Sequence, residues 1–224
     1  MRVADITLPP YTKKMEIWNT LSHGLGVVFG LIAGPFAITK AAATHDALSV
    51  LSIAIYVVTM IVLYAGSAIY HGLAPSNAKR VMRVIDHDNV FLLLMGSYLP
   101  YCLMSLRDTP DGFPWGYAIG GIVWGLCLLG IVLNSINIKR FAIANFIIQV
   151  LMGSAIVSAF YPLSQTIGWA GVITLLISGM FYWVGAALYG IGGKKEPWIH
   201  TVFHFFILCG TIMMFVSIYA FVLQ

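Results

Sequence analysis

Seven long apolar runs occupy most of this chain, and they constrain its fold more than any other feature. Only 9% of the 224 residues are charged, compared with about 25% in soluble domains. Each run approaches or exceeds the roughly 20 residues that a spanning helix needs. Lipid tolerates only helices and closed barrels, and the runs lack the period-2 alternation of barrel strands. The sequence therefore predicts an all-α integral membrane protein, in which residues 1–224 form a single seven-transmembrane-helix bundle. The spans are expected at about 22–40, 47–70, 87–106, 116–134, 140–161, 168–189 and 199–222.

The distribution of Lys and Arg predicts the orientation of the bundle. With seven crossings, ten of the 12 basic residues share one side of the membrane: Arg2, Lys13, Lys14, Lys79, Arg80, Arg83, Lys139, Arg140, Lys194 and Lys195. Only Lys40 and Arg107 fall on the other side. Cytoplasmic loops carry such an excess, so we expect a cytoplasmic N-terminus and an outside C-terminus. The basic residues form no patch with interleaved aromatics, so the net charge of +4 does not indicate a nucleic-acid partner.

Small and amide residues inside the runs predict contacts between helices. Gly120, Gly121 and Gly125 would let their helix approach a neighbour closely. Asn145 and Gln149 share one face of the fifth run, where we expect hydrogen bonds to an adjacent helix.

Ionisable side chains concentrate at the run ends that the charge pattern places in the cytoplasm. His71 closes the second run, Asp86 precedes the third, and the pair His200 and His204 opens the seventh. Charged groups in spans are costly to insert, so their default interpretation is a functional one. The convergence of these residues on one membrane face predicts a site there. Three further polar residues lead into the first run at helical spacing: Glu16, Asn19 and His23.

The spacing of the histidines favours a metal. His200 and His204 are four residues apart, so both rings leave one helix face about 6 Å apart along the axis and could hold one ion. Three neutral imidazoles with an open position form a catalytic zinc shell. Zinc suits this chain better than copper or iron, because no thiolate, thioether or two-His–one-carboxylate set lies nearby. A carboxylate beside a bound water could take its proton.

Each of these residues also has a plainer interpretation. An i, i+4 histidine pair at a helix end can hydrogen-bond carbonyls or lie among headgroups, and His71 can do the same. Asp86 can cap its helix or pair with Arg83. Ser67, which lies one turn before His71, is most often a packing hydroxyl in such helices. The functional hypothesis depends on all of them lying together.

Four short motifs occur in a recognisable order: "EIWNTLSHGLG" (Glu16, Asn19, Ser22, His23), "SAIYH" (Ser67, His71), "IDHDNVFLLLMGSYLP" (Asp86) and "PWIHTVFHFF" (His200, His204). Together they resemble the bacterial hemolysin III family, which belongs with the progestin and adiponectin receptors and is distantly similar to alkaline ceramidases. The resemblance extends from about residue 14 to the end of the chain.

The resemblance implies seven helices with a cytoplasmic N-terminus, in agreement with the charge pattern. It implies a Zn²⁺ ion held by His71, His200 and His204. Asp86, a better match than Asp88, would reach the zinc through water, and Ser67 would lie near a substrate carbonyl. Glu16, Asn19 and His23 match motif positions of less settled role and are candidates for the second shell of the metal.

These features suggest three functions for a multi-pass protein of the bacterial inner membrane. The first is a zinc-dependent hydrolase of a lipid amide or ester, similar to a ceramidase, with Asp86 as general base and proton donor and Ser67 steadying the oxyanion. The second is a sensor or regulator of membrane lipids with a structural zinc. The third is a cytolysin. The sequence disfavours it, because toxins that attack foreign membranes are usually secreted in soluble form, whereas this chain is integral to its own membrane. In the first two, the partner is a membrane lipid.

Overall fold

The computed structural model describes residues 2–192 and 196–224, and all regular structure in those ranges is helical. The helices are α1 (Lys13–Thr44), α2 (Ala47–Gly72), α3 (Asn77–Pro100), α4 (Trp115–Asn137), α5 (Ala142–Ser154), α6 (Phe160–Gly192) and α7 (Trp198–Ser217). Short π-helical turns extend α3 to Ser105 and α7 to Val222, and a 3-10 segment (Ala155–Ala159) joins α5 to α6. The all-α prediction is therefore confirmed for the described residues.

Within the described residues, five helical stretches are long and apolar enough to cross a membrane: Lys13–Thr44, Ala47–Gly72, Trp115–Asn137, Ala142–Gly190 and Trp198–Val222. The fourth stretch has 49 residues, more than two crossings require. Gly168 interrupts it with φ +68° and ψ 165°, a conformation in which only glycine is comfortable. Large apolar side chains are widely exposed, including Ile143 at 78% and Met180 at 63%. Such a surface suits lipid rather than water, and the chain is a multi-pass membrane protein.

Helix α3 begins ten residues before the apolar run that predicts it. Ser76 caps the helix, its Oγ accepting a hydrogen bond of 3.2 Å from the backbone N–H of Lys79. The polar segment that looked like a loop is therefore the first turns of α3, which carry both the basic residues and Asp86. These charges also explain why α3 is absent from the five apolar stretches. Lys194 and Lys195, which the orientation argument counted, lie outside the described residues.

Glycines bring α1 against α2, the most completely buried helix. Gly26, Gly30 and Gly34 recur every fourth residue on α1, and a Cβ at these positions would lie 2.3, 2.7 and 2.4 Å from side-chain atoms of α2. This spacing matches the small-residue packing of membrane helices. Of the three glycines expected to pack on α4, Gly120 meets a neighbour, since a Cβ there would lie 3.8 Å from Cys102, whereas a Cβ on Gly121 or Gly125 would meet no described atom within 4 Å. The hydrogen bond predicted from α5 is confirmed for Asn145, which donates to Asn134 Oδ1 on α4 at 3.3 Å, whereas the Gln149 side chain has no such bond to a described residue.

Contacts between helices group their termini into two ends of the bundle. The beginnings of α1, α3 and α7 meet the ends of α2 and α6 at one end, which we call the histidine end. At the opposite end, Arg107 pairs with Asp46 at 2.7 Å, and Lys40 donates to the carbonyl of Tyr219 at 3.1 Å. The chain therefore returns repeatedly to the histidine end, which allows residues distant in sequence to build one site.

Candidate metal centre

Three imidazoles from two helices converge at the histidine end. His71 lies in the last turn of α2, whereas His200 and His204 occupy the first two turns of α7. The Nε2 of His200 lies 3.3 Å from Nε2 of His71 and 3.0 Å from Nε2 of His204. All three residues are buried, and their ligand atoms lie within 4.8 Å of one another. Among the Cys, His, Asp and Glu side chains that the structure describes, this is the one group close enough to hold a metal ion.

Hydrogen bonds on the outer side of the rings assign the nitrogen that faces the cluster. Glu16 Oε2 lies 2.6 Å from Nδ1 of His71. This nitrogen therefore carries a proton and donates a hydrogen bond to the carboxylate. The Ser22 hydroxyl donates to the carbonyl of Asn19 at 2.9 Å, which leaves its oxygen to accept from Nδ1 of His204 at 3.3 Å.

A neutral imidazole has a single N–H, so Nε2 of both His71 and His204 presents a lone pair to the centre of the cluster. His200 Nε2 lies within 3.3 Å of both, and one proton on it could satisfy only one of them well. Converging lone pairs in a buried site repel one another, and a cation between them would relieve this repulsion. The donor set therefore fits a metal ion, and neutral imidazole suits zinc.

An ion pair between the partly buried Glu16 and the buried Lys79 supports the outer nitrogen of His71. Glu16 accepts from His71 through Oε2 and pairs with Lys79 Nζ through Oε1 at 2.7 Å. Lys79, of which only 4% of the side chain is exposed, also donates to the carbonyls of Leu73 at 2.8 Å and His71 at 3.3 Å. Carboxylates that hold the outer nitrogen of a ligating histidine fix its tautomer and orientation. The charge pattern counts Lys79 among the basic residues of the cytoplasmic loops, whereas in the structure it is part of the site.

Helix α1 supplies a second row of supports. Asn19 is fully buried, and its Oδ1 accepts a hydrogen bond of 2.6 Å from Thr201 on α7. Ser22, three residues further along, contacts His204. Glu16, Asn19 and His23 share the i, i+3, i+7 face of α1 that the sequence indicated, and Ser22 lies beside them. Sequence reasoning named Ser22 as a motif residue but gave it no role, and it missed Thr201.

His23 lies beside the cluster without joining it. Its ring stacks on that of His204 with centroids 3.7 Å apart, and Tyr64 meets its edge at 5.0 Å. Both ring nitrogens are buried without a hydrogen-bond partner among the described residues. The observed contact of His23 is therefore with the face of a candidate ligand.

Ser67 and Asp86 lie near His71. The Asp86 carboxylate interacts electrostatically with His71 and with the Ser67 hydroxyl. Ser67 Oγ is buried and forms no direct hydrogen bond of normal geometry with any described residue. Asp88 faces away, accepting from Asn134 at 2.8 Å and from Ser135 at 3.1 Å on α4. Of the two aspartates, the structure brings Asp86 towards the histidines.

Tyrosines that the motifs did not single out surround the cluster. Tyr11 stacks parallel to His200 with ring centroids 5.1 Å apart, and Tyr189 at the end of α6 approaches the same ring at 5.4 Å. Tyr70 packs against His71 at 4.5 Å, and its hydroxyl is buried without a partner among the described residues. No local sequence signal marks these tyrosines, because aromatic residues are frequent throughout the chain.

The helices and the cluster together define a class: a multi-pass helical membrane protein with a buried three-histidine group that could hold a metal ion. A family model described as "Haemolysin-III related" matches residues 11–215. The Hemolysin-3 homolog of Bacillus subtilis (strain 168) is 34% identical over 205 residues, which cover 92% of this chain and 93% of the relative. Hemolysin-3 of Bacillus cereus is 31% identical over 210 residues, which cover 94% and 93%. The chain therefore belongs to the haemolysin-III related family, as its motifs indicated.

Proposed function

We propose that this protein is a zinc-dependent hydrolase that cleaves an amide or ester bond of a membrane lipid in the bacterial inner membrane. The observation that carries the proposal is the convergence of three imidazole Nε2 atoms, with no fourth His, Cys, Asp or Glu in the group among the described residues. Three protein ligands and one open position are typical of catalytic zinc, whereas structural zinc usually has four protein ligands. When bound, zinc supplies Lewis-acid polarisation and lowers the pKa of a coordinated water towards about 7.

The residues around the cluster then take distinct roles. His71, His200 and His204 hold the ion, and Glu16 keeps the proton on Nδ1 of His71. Asp86 takes a proton from the attacking water at its carboxylate and returns it to the leaving group. Ser67, whose hydroxyl is near the Asp86 carboxylate but forms no hydrogen bond of normal geometry with a described residue, donates a hydrogen bond to the substrate carbonyl oxygen as negative charge develops there.

The surroundings of the site support a lipid as the substrate. The ligands lie in helices whose outward faces carry exposed Leu, Ile, Val and aromatic side chains. A substrate that approaches between such helices must itself be soluble in the bilayer. The reacting bond would lie near the headgroup region, because the cluster lies at one end of the bundle. This location suits the amide or ester linkage of a lipid.

We also infer that the chain crosses the membrane seven times with the histidine end in the cytoplasm. Helix α3 with its π-helical turn reaches from Asn77 to Ser105, and the stretch Ala142–Gly190 accommodates two crossings around Gly168. Eight described basic residues belong to the histidine end in this arrangement. Single cysteines in a cysteine-free background test the orientation: a membrane-impermeant maleimide should label position 111 from outside the cell and position 139 only after lysis. The reverse pattern would overturn the orientation.

Metal analysis of the purified protein tests the first half of the proposal. The unaltered protein should hold about one zinc ion per chain, and His204→Ala should lose it. His45→Ala is the matched control, because His45 lies at the opposite end of the bundle beside Thr44. Equal metal content in all three proteins would remove the histidine cluster from the argument.

Lipid analysis tests the second half. Cells that express Asp86→Asn should accumulate a lipid that cells with the unaltered protein convert, while the variant keeps its zinc. Retained zinc with no change in any lipid pool would refute the hydrolase.

A structural zinc in a lipid sensor is the second candidate, and contacts of α7 favour it. Asn19–Thr201 and Ser22–His204 tie α1 to α7, while the cluster ties α2 to α7. Such ties would stiffen the bundle without any chemistry. The names of the two relatives add haemolysis as a third candidate, which release of haemoglobin from erythrocytes by the purified protein would test directly.

A further inference from the structure

Residues 2–12, which we call the N-terminal strap, lie across the histidine end before α1 begins. Ile6 is buried with 5% of its surface exposed, and its carbonyl accepts a hydrogen bond of 3.1 Å from Arg80 Nε on α3. Arg83, one turn further along α3, donates to the carbonyl of Thr7. The strap is therefore anchored to a different helix from the one that it leads into. This anchoring determines where Tyr11 lies.

Tyr11 covers the candidate ligand that has the fewest polar supports. Its ring lies 5.1 Å from that of His200 with an interplanar angle of 17°, and 5.7 Å from that of His71. The outer nitrogens of His71 and His204 are held by Glu16 and Ser22, respectively. Nδ1 of His200 is buried and has no partner among the described residues. Packing must therefore orient His200. Of the aromatic rings that contact it, the ring of Tyr11 is the one that stacks parallel to the imidazole.

We propose that Tyr11 is a positioning residue for His200, in which stacking of the phenol ring replaces the hydrogen bond that normally orients a ligating histidine. The proposal rests on the proposed function, because it takes the three histidines to be metal ligands. The strap holds the ring in place, and the ring keeps Nε2 of His200 aimed at the other two imidazoles. The same contact limits the approach of water and chelators to the site from this end.

The test compares zinc binding by full-length Tyr11→Leu and Tyr11→Phe in lipid nanodiscs, with Tyr161→Leu as the matched control. Tyr161 is 72% exposed and has no part in the cluster. Competition with a chelator should show a dissociation constant about 10-fold weaker for Tyr11→Leu, as for the loss of other groups that orient ligands. Tyr11→Phe keeps the ring and should rescue affinity to within about 2-fold of the unaltered protein, if stacking supplies most of the support.

Further readouts separate positioning from general stability. The visible spectrum of the Co²⁺-loaded protein should change in Tyr11→Leu and not in the control. If Tyr11→Leu fails to fold, Arg80→Ala removes an anchor of the strap without touching the ring, and it should release zinc faster than the unaltered protein.

Three outcomes would overturn the inference. The first is unaltered zinc affinity in a folded Tyr11→Leu protein. The second is zinc affinity in Tyr11→Phe that is as weak as in Tyr11→Leu. The third, where Tyr11→Leu does not fold, is an unaltered rate of zinc release from Arg80→Ala. Absence of metal from the unaltered protein would overturn the inference together with the proposed function. Weaker zinc binding in Tyr11→Leu, together with lipid pools that Asp86→Asn leaves unchanged, would support positioning while refuting the hydrolase.

Discussion

Replacing Glu16 should weaken both metal binding and the packing of the histidine end, because one carboxylate serves two partners. Its Oε2 holds His71 Nδ1 at 2.6 Å and its Oε1 pairs with Lys79 Nζ at 2.7 Å. Glu16→Ala removes both contacts. Glu16→Gln keeps the shape of the side chain but supplies only one carbonyl oxygen as an acceptor and carries no charge.

The size of the expected stability loss depends on the hydrogen bonds that Lys79 retains after the substitution. Removing one partner of a buried ion pair costs about 3–5 kcal/mol. Two observations reduce this figure: the Glu16 side chain is 20% exposed, so water can reach its partner, and the ammonium of Lys79 keeps the carbonyls of Leu73 and His71. We therefore expect a loss of about 2–3 kcal/mol of stability for Glu16→Ala and about 1 kcal/mol for Glu16→Gln. Zinc affinity should fall by about 10–100-fold in Glu16→Ala.

A double-mutant cycle with Lys79→Met checks the reasoning. Stability would be measured by denaturant titration of the metal-free protein in detergent, and zinc affinity by chelator competition. In the Lys79→Met background, Glu16→Ala should cost less stability, because no buried ammonium is left unpaired, whereas its effect on zinc affinity should persist. Additive stability losses, or a Glu16→Ala protein with unaltered zinc affinity, would refute the role given to the carboxylate.

Further predictions concern packing, backbone and pH. Gly34→Leu should destabilise the protein by about 1–3 kcal/mol, since even a Cβ there would lie 2.4 Å from a valine side-chain atom of α2; denaturant titration measures the loss, and Gly24→Leu, at an open position, is the control. Gly168→Ala should cost about 1–3 kcal/mol in the same assay, because φ is +68° there. Hydrogen bonds from Ser49 and the nearby Arg107 hold the pKa of Asp46 below its usual value, so its carboxylate stabilises the fold above the unfolded pKa of about 3.9 and loses that effect as the pH falls through the folded pKa. The difference in melting temperature between Asp46→Asn and the unaltered protein should be full at pH 7 and should shrink below about pH 4; a constant difference would contradict the assignment.

Helical periodicity grouped several of the residues that lie together in the candidate site. His200 and His204 lie on one face of α7, and Glu16, Asn19 and His23 lie on one face of α1, because a spacing of three, four or seven residues brings side chains to the same side of any helix. The charge pattern placed His71 and Asp86 at the same end. These inferences required only the number of crossings, not the packing of helices.

What the sequence could not supply is the pairing between helices. In the sequence, Lys79 is one of several basic residues in a polar stretch. Only the packing of α3 near α1 in the structure shows that it pairs with Glu16. Tyr11 lies in a segment with no helical periodicity, and only its anchoring to α3 places it over His200. Of the three glycines expected to pack on α4, only Gly120 meets a described neighbour. The close glycine contacts at four-residue spacing lie on α1, because such spacing brings two helices together only where the neighbouring helix offers matching side chains.

The supports of the cluster would couple binding of the proposed metal to assembly of the bundle. Helix α7 follows α1 and α2 along the chain, and its contacts with them are polar as well as apolar: Thr201 meets Asn19, and Thr211 accepts from Tyr64 at 2.7 Å. A metal that binds only the assembled site stabilises it by RT ln(1 + [metal]/Kd), about 4 kcal/mol at a thousandfold excess over Kd. Removing the metal should therefore loosen α7 before the α1–α2 pair, whose glycine packing does not depend on it. Amide hydrogen exchange in nanodiscs would show this as a selective loss of protection in Trp198–Ser217 after chelation, and equal loss in α2 would contradict the coupling.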